Sequence, residues 1–193
     1  MEILGKIFNS PARIKIMRLF LSNKGKTFTN KDIAKRSRIS PEIIRREVKL
    51  LDSVEFIKKR NSGAIFNPLF KYTKEFEGLL ISSNMIDEEA IVNTFKKVGR
   101  VKLLVISGVF IKNKDSRVDL LIAGDKMKKS KIEEGIHKLE AEMGIELSYA
   151  IFTTKDFIYR LNMYDKLIRD ILDFPHKVLL ESKELNLRVA RQA

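Results

Sequence analysis

The chain has 193 residues, with 38 Lys and Arg against 25 Asp and Glu, a formal net charge of +13, and no Cys. The lack of Cys excludes a disulfide scaffold, a Cys nucleophile and a thiolate metal site, and with only His137 and His176 a His-rich metal centre is excluded too. No apolar run approaches the ~20 residues that cross a bilayer, so we expect a cytoplasmic protein with no membrane partner. The positive charge favours a polyanionic partner.

The basic excess is concentrated in the first part of the chain. Residues 1–82 contain 18 Lys and Arg and 8 Asp and Glu, a net charge of +10, whereas residues 83–193 contain 20 and 17, a net charge of +3. A polar stretch, Ser82-Ser83-Asn84, marks the change. We therefore predict two domains, residues 1–82 and residues 83–193.

Helix start signals follow one another in the first predicted domain. Ser10-Pro11 and Ser40-Pro41 each place a hydroxyl at an N-cap and Pro at the first helical position, and Thr29 opens a shorter helix between them. The first helix is expected to end before Asn23, and the third is expected to run to about Val54.

The third predicted helix has an apolar face and a cationic face. The apolar residues that fall together on a helical wheel are Ile44, Val48 and Leu51, flanked by Ile43, Leu50 and Val54. The cationic face carries Arg45, Arg46 and Lys49. The pattern predicts that the apolar face packs against a core and that the cationic face is free to bind a polyanion.

A basic β-hairpin is predicted next, because two short strand-like runs flank the turn Asn61-Ser62-Gly63. The order of helix, short helix, turn, helix and basic hairpin in residues 9–70 resembles the winged helix-turn-helix family. The stretch TNKDIAKRSRISPEIIRREVKLLDSVEFIKKRNSG is similar to that family's second helix, turn, recognition helix and wing. The resemblance implies that the third helix enters the major groove of double-stranded DNA while the wing touches the flanking backbone.

The DNA-binding residues that this resemblance and the charge pattern imply are Ser40, Arg45, Arg46 and Lys49 in the helix and Lys58, Lys59 and Arg60 in the wing. Arg can form a forked pair of hydrogen bonds with a guanine edge, and Lys and Arg neutralise phosphates. Two alternatives stay open. Cationic helix faces are often only solvated surface, and winged helices also serve as protein-interaction modules.

Alternating helices and strands are predicted in the second domain. The helices are expected at residues 87–98, 128–143, 154–161 and 164–172, and the strands at residues 101–106, 118–123, 145–152 and, as an edge strand, 178–180. With the first domain, this order gives an α+β protein: a winged helix-turn-helix followed by a small α/β domain.

Part of the second domain, about residues 95–180, resembles the minimal nucleotidyltransferase domain of the DNA polymerase β superfamily. That family has a Gly-Ser pair after its first strand, an Asp-x-Asp pair at its second and a third acid on the next strand. Here these positions hold Ser107-Gly108 in reversed order, Arg117-Val118-Asp119, and Glu146 in the predicted strand. The family's acids hold divalent metals that bridge a nucleoside triphosphate.

Arg117 stands where the resemblance requires a metal-binding carboxylate. Since alternate strand residues share a face, we expect Arg117 to point with Asp119 and to pair with Asp119 or Glu146, repelling Mg²⁺. We therefore expect a vestigial site with no catalytic residues and no metal or other cofactor. Arg117 could still clamp a nucleotide or another small anionic effector, or the domain could serve only packing and dimerisation.

The sequence as a whole predicts a DNA-binding transcriptional regulator that acts as a homodimer and has an inactive transferase-like domain. One alternative is an active nucleotidyltransferase targeted by its DNA-binding domain, which would need Mg²⁺ and a nucleotide. Another is an antitoxin-like interaction protein, because minimal nucleotidyltransferases occur as paired partners in that family.

Overall fold

The computed structural model describes residues 3–82, 87–113 and 115–185. The chain divides into two compact units: residues 1–87 together with 136–146, and residues 88–135 together with 147–193. Ser83 and Asn84, at the predicted domain boundary, lie outside the described residues. Helices and two separate sheets occur together, so the predicted α+β class is confirmed.

The first unit contains α1 (Ile3–Ile7), α2 (Pro11–Ser22), β1 (Thr27–Phe28), α3 (Asn30–Ser37), α4 (Pro41–Ser53), β2 (Ile57–Arg60), β3 (Gly63–Phe66), α5 (Thr73–Glu77) and a π-helical turn (Gly78–Ser82). The second part of the chain contains α6 (Glu88–Phe95), β4 (Arg100–Ile106), a 3₁₀ turn (Gly108–Ile111), β5 (Leu120–Asp125), α7 (Lys129–Met143), β6 (Tyr149–Thr153), α8 (Thr154–Asn162), α9 (Lys166–Asp173) and β7 (Lys177–Glu181). Among the helices described, none combines the length and the apolar character that a membrane crossing requires.

Side-chain caps begin α2 and α3 where the sequence predicts them. Before α2, the Ser10 hydroxyl accepts the backbone N–H of Arg13 at 3.1 Å. Before α3, Thr29 and Asp32 form a reciprocal capping box, and the hydrogen bonds from Thr29 hold the pKa of Asp32 below its ordinary value. Ser40 occupies the N-cap of α4 and Pro41 its first position, as predicted, but the Ser40 hydroxyl makes no cap hydrogen bond.

An antiparallel sheet with the order β1-β3-β2 belongs to the first unit. β2 and β3 form the predicted hairpin, with Ile57 opposite Phe66, while the two-residue β1, which the sequence pattern did not predict, pairs with the other side of β3. Phe56 packs edge-on against Phe66 and Phe70, with ring centroids 5.3 Å and 5.1 Å apart. These rings join the hairpin to the core that α2, α3 and α4 share.

The apolar face of α4 is narrower than its sequence indicates. Ile44, Val48 and Leu51 are buried as predicted, but the flanking residues Ile43, Leu50 and Val54 are 37%, 38% and 52% exposed. The physical reason is Glu47, which shares their side of the helix and is buried against the polar start of α2 instead of an apolar surface.

A four-stranded mixed sheet with the order β6-β5-β4-β7 forms the centre of the second unit. β4 pairs antiparallel with both β5 and β7, and β5 pairs parallel with β6. α8 and α9 cover one face through Phe157, Ile168 and Ile171, which are buried against strand residues such as Leu103 and Leu121. The predicted edge position of β7 is confirmed.

Two strand predictions in this unit begin too early. The second strand begins at Leu120 and not at Val118, and the third begins at Tyr149 and not at Ile145. The backbone N–H groups of Asp119, just before β5, and of Leu120, its first residue, donate to the carbonyl of Ser148 at 2.7 Å and 3.2 Å. Ser148 lies just before β6, so these hydrogen bonds take the place of a longer strand ladder.

The end of α7 and the residues up to Glu146 belong to the first unit. The buried Arg18 of α2 donates to the carbonyls of Leu80 and Glu142 at 2.9 Å and 3.2 Å, and the Asn23 amide donates to the Gly144 carbonyl at 2.7 Å. Carbonyls near a helix C-terminus have no partner within the helix, and these side chains supply donors to them.

Candidate nucleic-acid interface

A cationic cleft opens in the first unit between the start of α3, one face of α4 and the β2–β3 hairpin. Its volume is about 710 Å³. The residues that line it are Thr29, Asn30, Arg45, Val48, Lys49, Lys59, Arg60, Asn61, Ser62, Gly63 and Ala64. Four of the seven predicted DNA-binding residues, Arg45, Lys49, Lys59 and Arg60, therefore meet at one surface, although helix and hairpin are separate in the sequence.

Arg45 and Lys49 approach the cleft from α4. They are four residues apart, so they lie one above the other on the same helix face. Both are exposed, and in the described part of the chain no carboxylate pairs with Arg45, Lys49 or Arg60. Their charge is therefore available to a ligand in the cleft.

Lys59 comes from the hairpin and already has an acidic neighbour. Its ammonium lies 3.0 Å from the carboxylate of Asp52 on α4, an ion pair that joins the hairpin to the helix. Because both side chains are partly exposed, the pair is weak, and a phosphate can compete for Lys59. Gly63, at the start of β3, allows this strand to lie close to β1, since a Cβ there would lie 2.3 Å from the Phe28 carbonyl oxygen.

The other three predicted residues, Ser40, Arg46 and Lys58, do not line the cleft. Arg46 is 72% exposed and pairs with Glu47 at 3.3 Å. Lys58 is exposed in β2, opposite Ile65 of β3. Ser40 is exposed at the start of α4.

Glu47 is a buried residue of this region that the sequence reading missed. Its carboxylate accepts the Ser10 hydroxyl at 3.0 Å and the Arg13 guanidinium at 2.8 Å. Burial opposes ionisation of Glu47, but the hydrogen bonds from Arg13, Ser10 and Arg46 outweigh it and lower the pKa of the carboxyl. An acid inside the apolar side of a helix is the signal that could have identified it.

Polar residues around the cleft were also missed. Thr29 and Asn30 at the start of α3 and Asn61 and Ser62 in the hairpin turn line it together with the cations. The Thr29 hydroxyl already donates to the Asp32 carboxylate, but Asn30, Asn61 and Ser62 add amide and hydroxyl groups to a cationic surface, a combination that suits phosphate and sugar oxygens. In the sequence these residues stand at a helix start and in a turn. Such positions normally indicate only local structure, which is why the residues were not predicted to bind a ligand.

In the second unit, the predicted vestigial site is brought together only in part. Ser107, Gly108 and Asp119 meet: Asp119 is buried, and its two carboxylate oxygens accept the backbone N–H groups of Val109 at 2.9 Å and Ser148 at 2.8 Å. The Ser107 hydroxyl donates to the Val118 carbonyl. Gly108 has a φ of +55°, and a Cβ there would lie 2.0 Å from a carboxylate oxygen of Asp119. The carboxylate therefore packs against Gly108 in space that any other residue's side chain would occupy.

Arg117 and Glu146 do not join this group, and the expected pairing of Arg117 with Asp119 or Glu146 is wrong. Arg117 forms an ion pair with Asp170 of α9. Glu146 lies before β6 and not on a strand, and its carboxylate pairs with Arg36 of α3 at 2.7 Å. Because β5 begins only at Leu120, strand alternation does not relate Arg117 to Asp119. Nowhere in the described residues do three acids or histidines gather as metal ligands.

Comparison of the chain with family models, with curated proteins and with solved structures gives no match.

Proposed function

We propose that this protein is a DNA-binding transcriptional regulator with a winged helix-turn-helix in residues 1–82. The observation that supports the proposal is the convergence of Arg45 and Lys49 from α4 with Lys59 and Arg60 from the hairpin at one cleft. Phosphate neutralisation by clustered Lys and Arg supplies most of the affinity of a protein for duplex DNA. Palindromic sites match two-fold protein symmetry, so we include a homodimer in the proposal.

The proposal extends to the second domain, residues 83–193, as a nucleotidyltransferase-like domain that has lost its activity. Asp119 is engaged by two backbone N–H groups, Arg117 by Asp170, and Glu146 by Arg36. A transferase site needs carboxylates that converge on a divalent metal, and these three residues are committed to different partners. The proposed role of the domain is dimerisation or ligand sensing, without a resident cofactor.

Fluorescence anisotropy on labelled random-sequence duplex DNA, repeated across a salt series, tests DNA binding. We expect the logarithm of the affinity to fall linearly with the logarithm of the salt concentration. The variant Arg45→Ala/Lys49→Ala should weaken binding about tenfold or more, and its salt slope should be smaller by about 2 if each residue contacts one phosphate.

The matched control is Lys96→Ala/Lys97→Ala, which removes the same charge from two exposed residues of the second unit. It should leave most of the affinity in place. No binding at low salt would overturn the proposal. Equal losses in the two double variants would show that only net charge matters and that the cleft has no special role.

A further inference from the structure

β6 is one of the two edge strands of the second unit's sheet. In the described residues, β6 pairs with β5 alone, so the backbone on its other side has no strand partner. Its sequence, Tyr149 to Thr153, contains no charged residue and no Pro. Ala150, Ile151 and Phe152 are half-buried, and Tyr149 is 42% exposed.

Natural proteins usually protect such an edge with charges, Pro or bulges, because unpaired N–H and C=O groups recruit further strands. The opposite edge of the same sheet has this protection. β7 carries Lys177 and Glu181 at its two ends, and its register with β4 shifts between Leu104 and Val105. β6 differs from β7 in both respects, which indicates that it is kept open for a partner strand.

The side chains of β6 fit a second copy of the same strand. In an antiparallel pair centred on Ile151, Ala150 of one copy lies opposite Phe152 of the other, so a small side chain meets a large one. Tyr149 then lies opposite Thr153, and Ile151 lies opposite itself. Ala150 and Phe152 pack on the α8 and α9 side of the sheet, so both mixed pairs extend that apolar layer.

Charge also makes β6 a more favourable contact site for a second copy than most other parts of the surface. Two chains of net charge +13 repel each other, and directly opposed like charges destabilise strand pairs. Pairing through β6 brings no charged strand residue opposite another. α8, which packs against β6, exposes Ile158 and Tyr159 at 36% and 64%, and these side chains can enlarge the contact beyond five residues of backbone.

We propose that β6 is a homodimer interface, at which two copies pair antiparallel about Ile151 and form one continuous eight-stranded sheet. A two-fold axis of this kind makes the same patch serve both subunits. The interface deepens the homodimer in the function proposed above, but it does not depend on DNA binding.

The absence of Cys from the chain makes a direct test possible, because one introduced Cys can cross-link only to its own copy. Opposite residues in an antiparallel pair have Cα atoms about 4.5–5.5 Å apart, within the range of a disulfide. Ile151→Cys should therefore give a disulfide-linked dimer under mild oxidation. Tyr149→Cys should not, because its copy lies four residues, roughly 13 Å, away along the strand.

Leu179→Cys, at the middle of β7, is the matched control for the other edge. The parent chain should sediment as a dimer in a concentration series, which covers the case in which a variant fails to fold. A monomeric parent chain, or equal cross-linking through Ile151→Cys and Leu179→Cys, would overturn the interface. A monomer that still binds DNA would overturn the interface and leave the DNA-binding proposal intact.

Discussion

Glu47 joins the start of α2 to α4. Its side chain is 1% exposed and accepts hydrogen bonds from Ser10 and Arg13 of one helix while it belongs to the other. A buried carboxylate is costly unless it is paired, and here a cation and a hydroxyl satisfy it. The position of the α4 cations at the cleft therefore depends on an acid that does not face the cleft.

The lowered pKa of Glu47 has a consequence for stability. A carboxyl whose pKa is lower in the folded than in the unfolded chain stabilises the fold fully above its unfolded pKa, about 4.3 for Glu. This contribution is lost as the pH falls through the lower, folded pKa. Acid should therefore loosen the contact between α2 and α4.

We predict that Glu47→Gln lowers the free energy of unfolding by about 1–3 kcal/mol at neutral pH, because Arg13 loses its charged partner. The difference from the parent chain should begin to shrink as the pH falls below about 4.3, the ordinary pKa of Glu, and should disappear only below the lowered pKa of the folded Glu47 carboxyl. Urea denaturation at a series of pH values measures this. The exposed Glu42 on the same helix is the control position, and an effect of Glu47→Gln that is constant with pH would contradict the argument.

At the level of the secondary-structure elements, the helices of the first unit differ in whether a side-chain cap or core packing stabilises them. α3 has a low content of apolar residues, yet it forms with a complete capping box at Thr29 and Asp32 and with Ile33 buried. α4 begins without a side-chain cap and takes its stability from Pro41 and from the core contacts of Ile44, Val48 and Leu51. Thr29 and Ser40 therefore occupy equivalent N-cap positions, but only the Thr29 hydroxyl makes a cap hydrogen bond.

This difference predicts unequal effects of two similar substitutions. Thr29→Ala removes the acceptor for the Asp32 N–H and should cost about 1 kcal/mol of folding free energy. Ser40→Ala removes a hydroxyl that makes no cap hydrogen bond and should cost only a few tenths. Chemical denaturation of both variants gives the comparison. Equal losses would mean that the Ser40 hydroxyl caps α4 in solution.

At the scale of the whole molecule, the compact units do not follow the order of the chain. Residues 136–146 lie far beyond the predicted boundary, yet they belong with residues 1–87. Lys15 pairs with Glu142 at 2.8 Å, Arg18 and Asn23 donate to carbonyls at the end of α7, and Gly144 has a φ of +74° at the turn that follows. The first unit is therefore completed by a later segment.

We predict that Asn23→Ala loosens α2 and residues 136–146 together, because the amide donates to both Leu19 and Gly144. Hydrogen exchange followed by mass spectrometry should show faster exchange in both segments, while β4 and β5 keep their protection. Asn93, an exposed asparagine of α6, offers Asn93→Ala as the control. Faster exchange confined to residues 136–146 would show that this segment does not fold with the first unit.

Most of the regular elements of this protein can be predicted from the sequence, because caps, Pro, Gly and apolar periodicity act within a few residues of one another. The sequence predicted α2, α3, α4, the β2–β3 hairpin and the central strands β4 and β5, with ends that differ by a few residues. It also placed the cations of α4 and the hairpin, which a charge count can find. The cleft itself could not be predicted from the sequence, since it depends on how the hairpin packs against α4.

The partners of the charged residues follow from the folded structure and not from any sequence pattern. Arg117 pairs with Asp170, Glu146 with Arg36, and Glu47 with Arg13, and all three pairs join residues more than 30 positions apart. Sequence spacing gives the direction of a side chain only within one element, whereas an ion pair depends on which surfaces pack together. The same limit explains residues 136–146, whose place in the first unit rests on hydrogen bonds from Arg18 and Asn23 that no local pattern encodes.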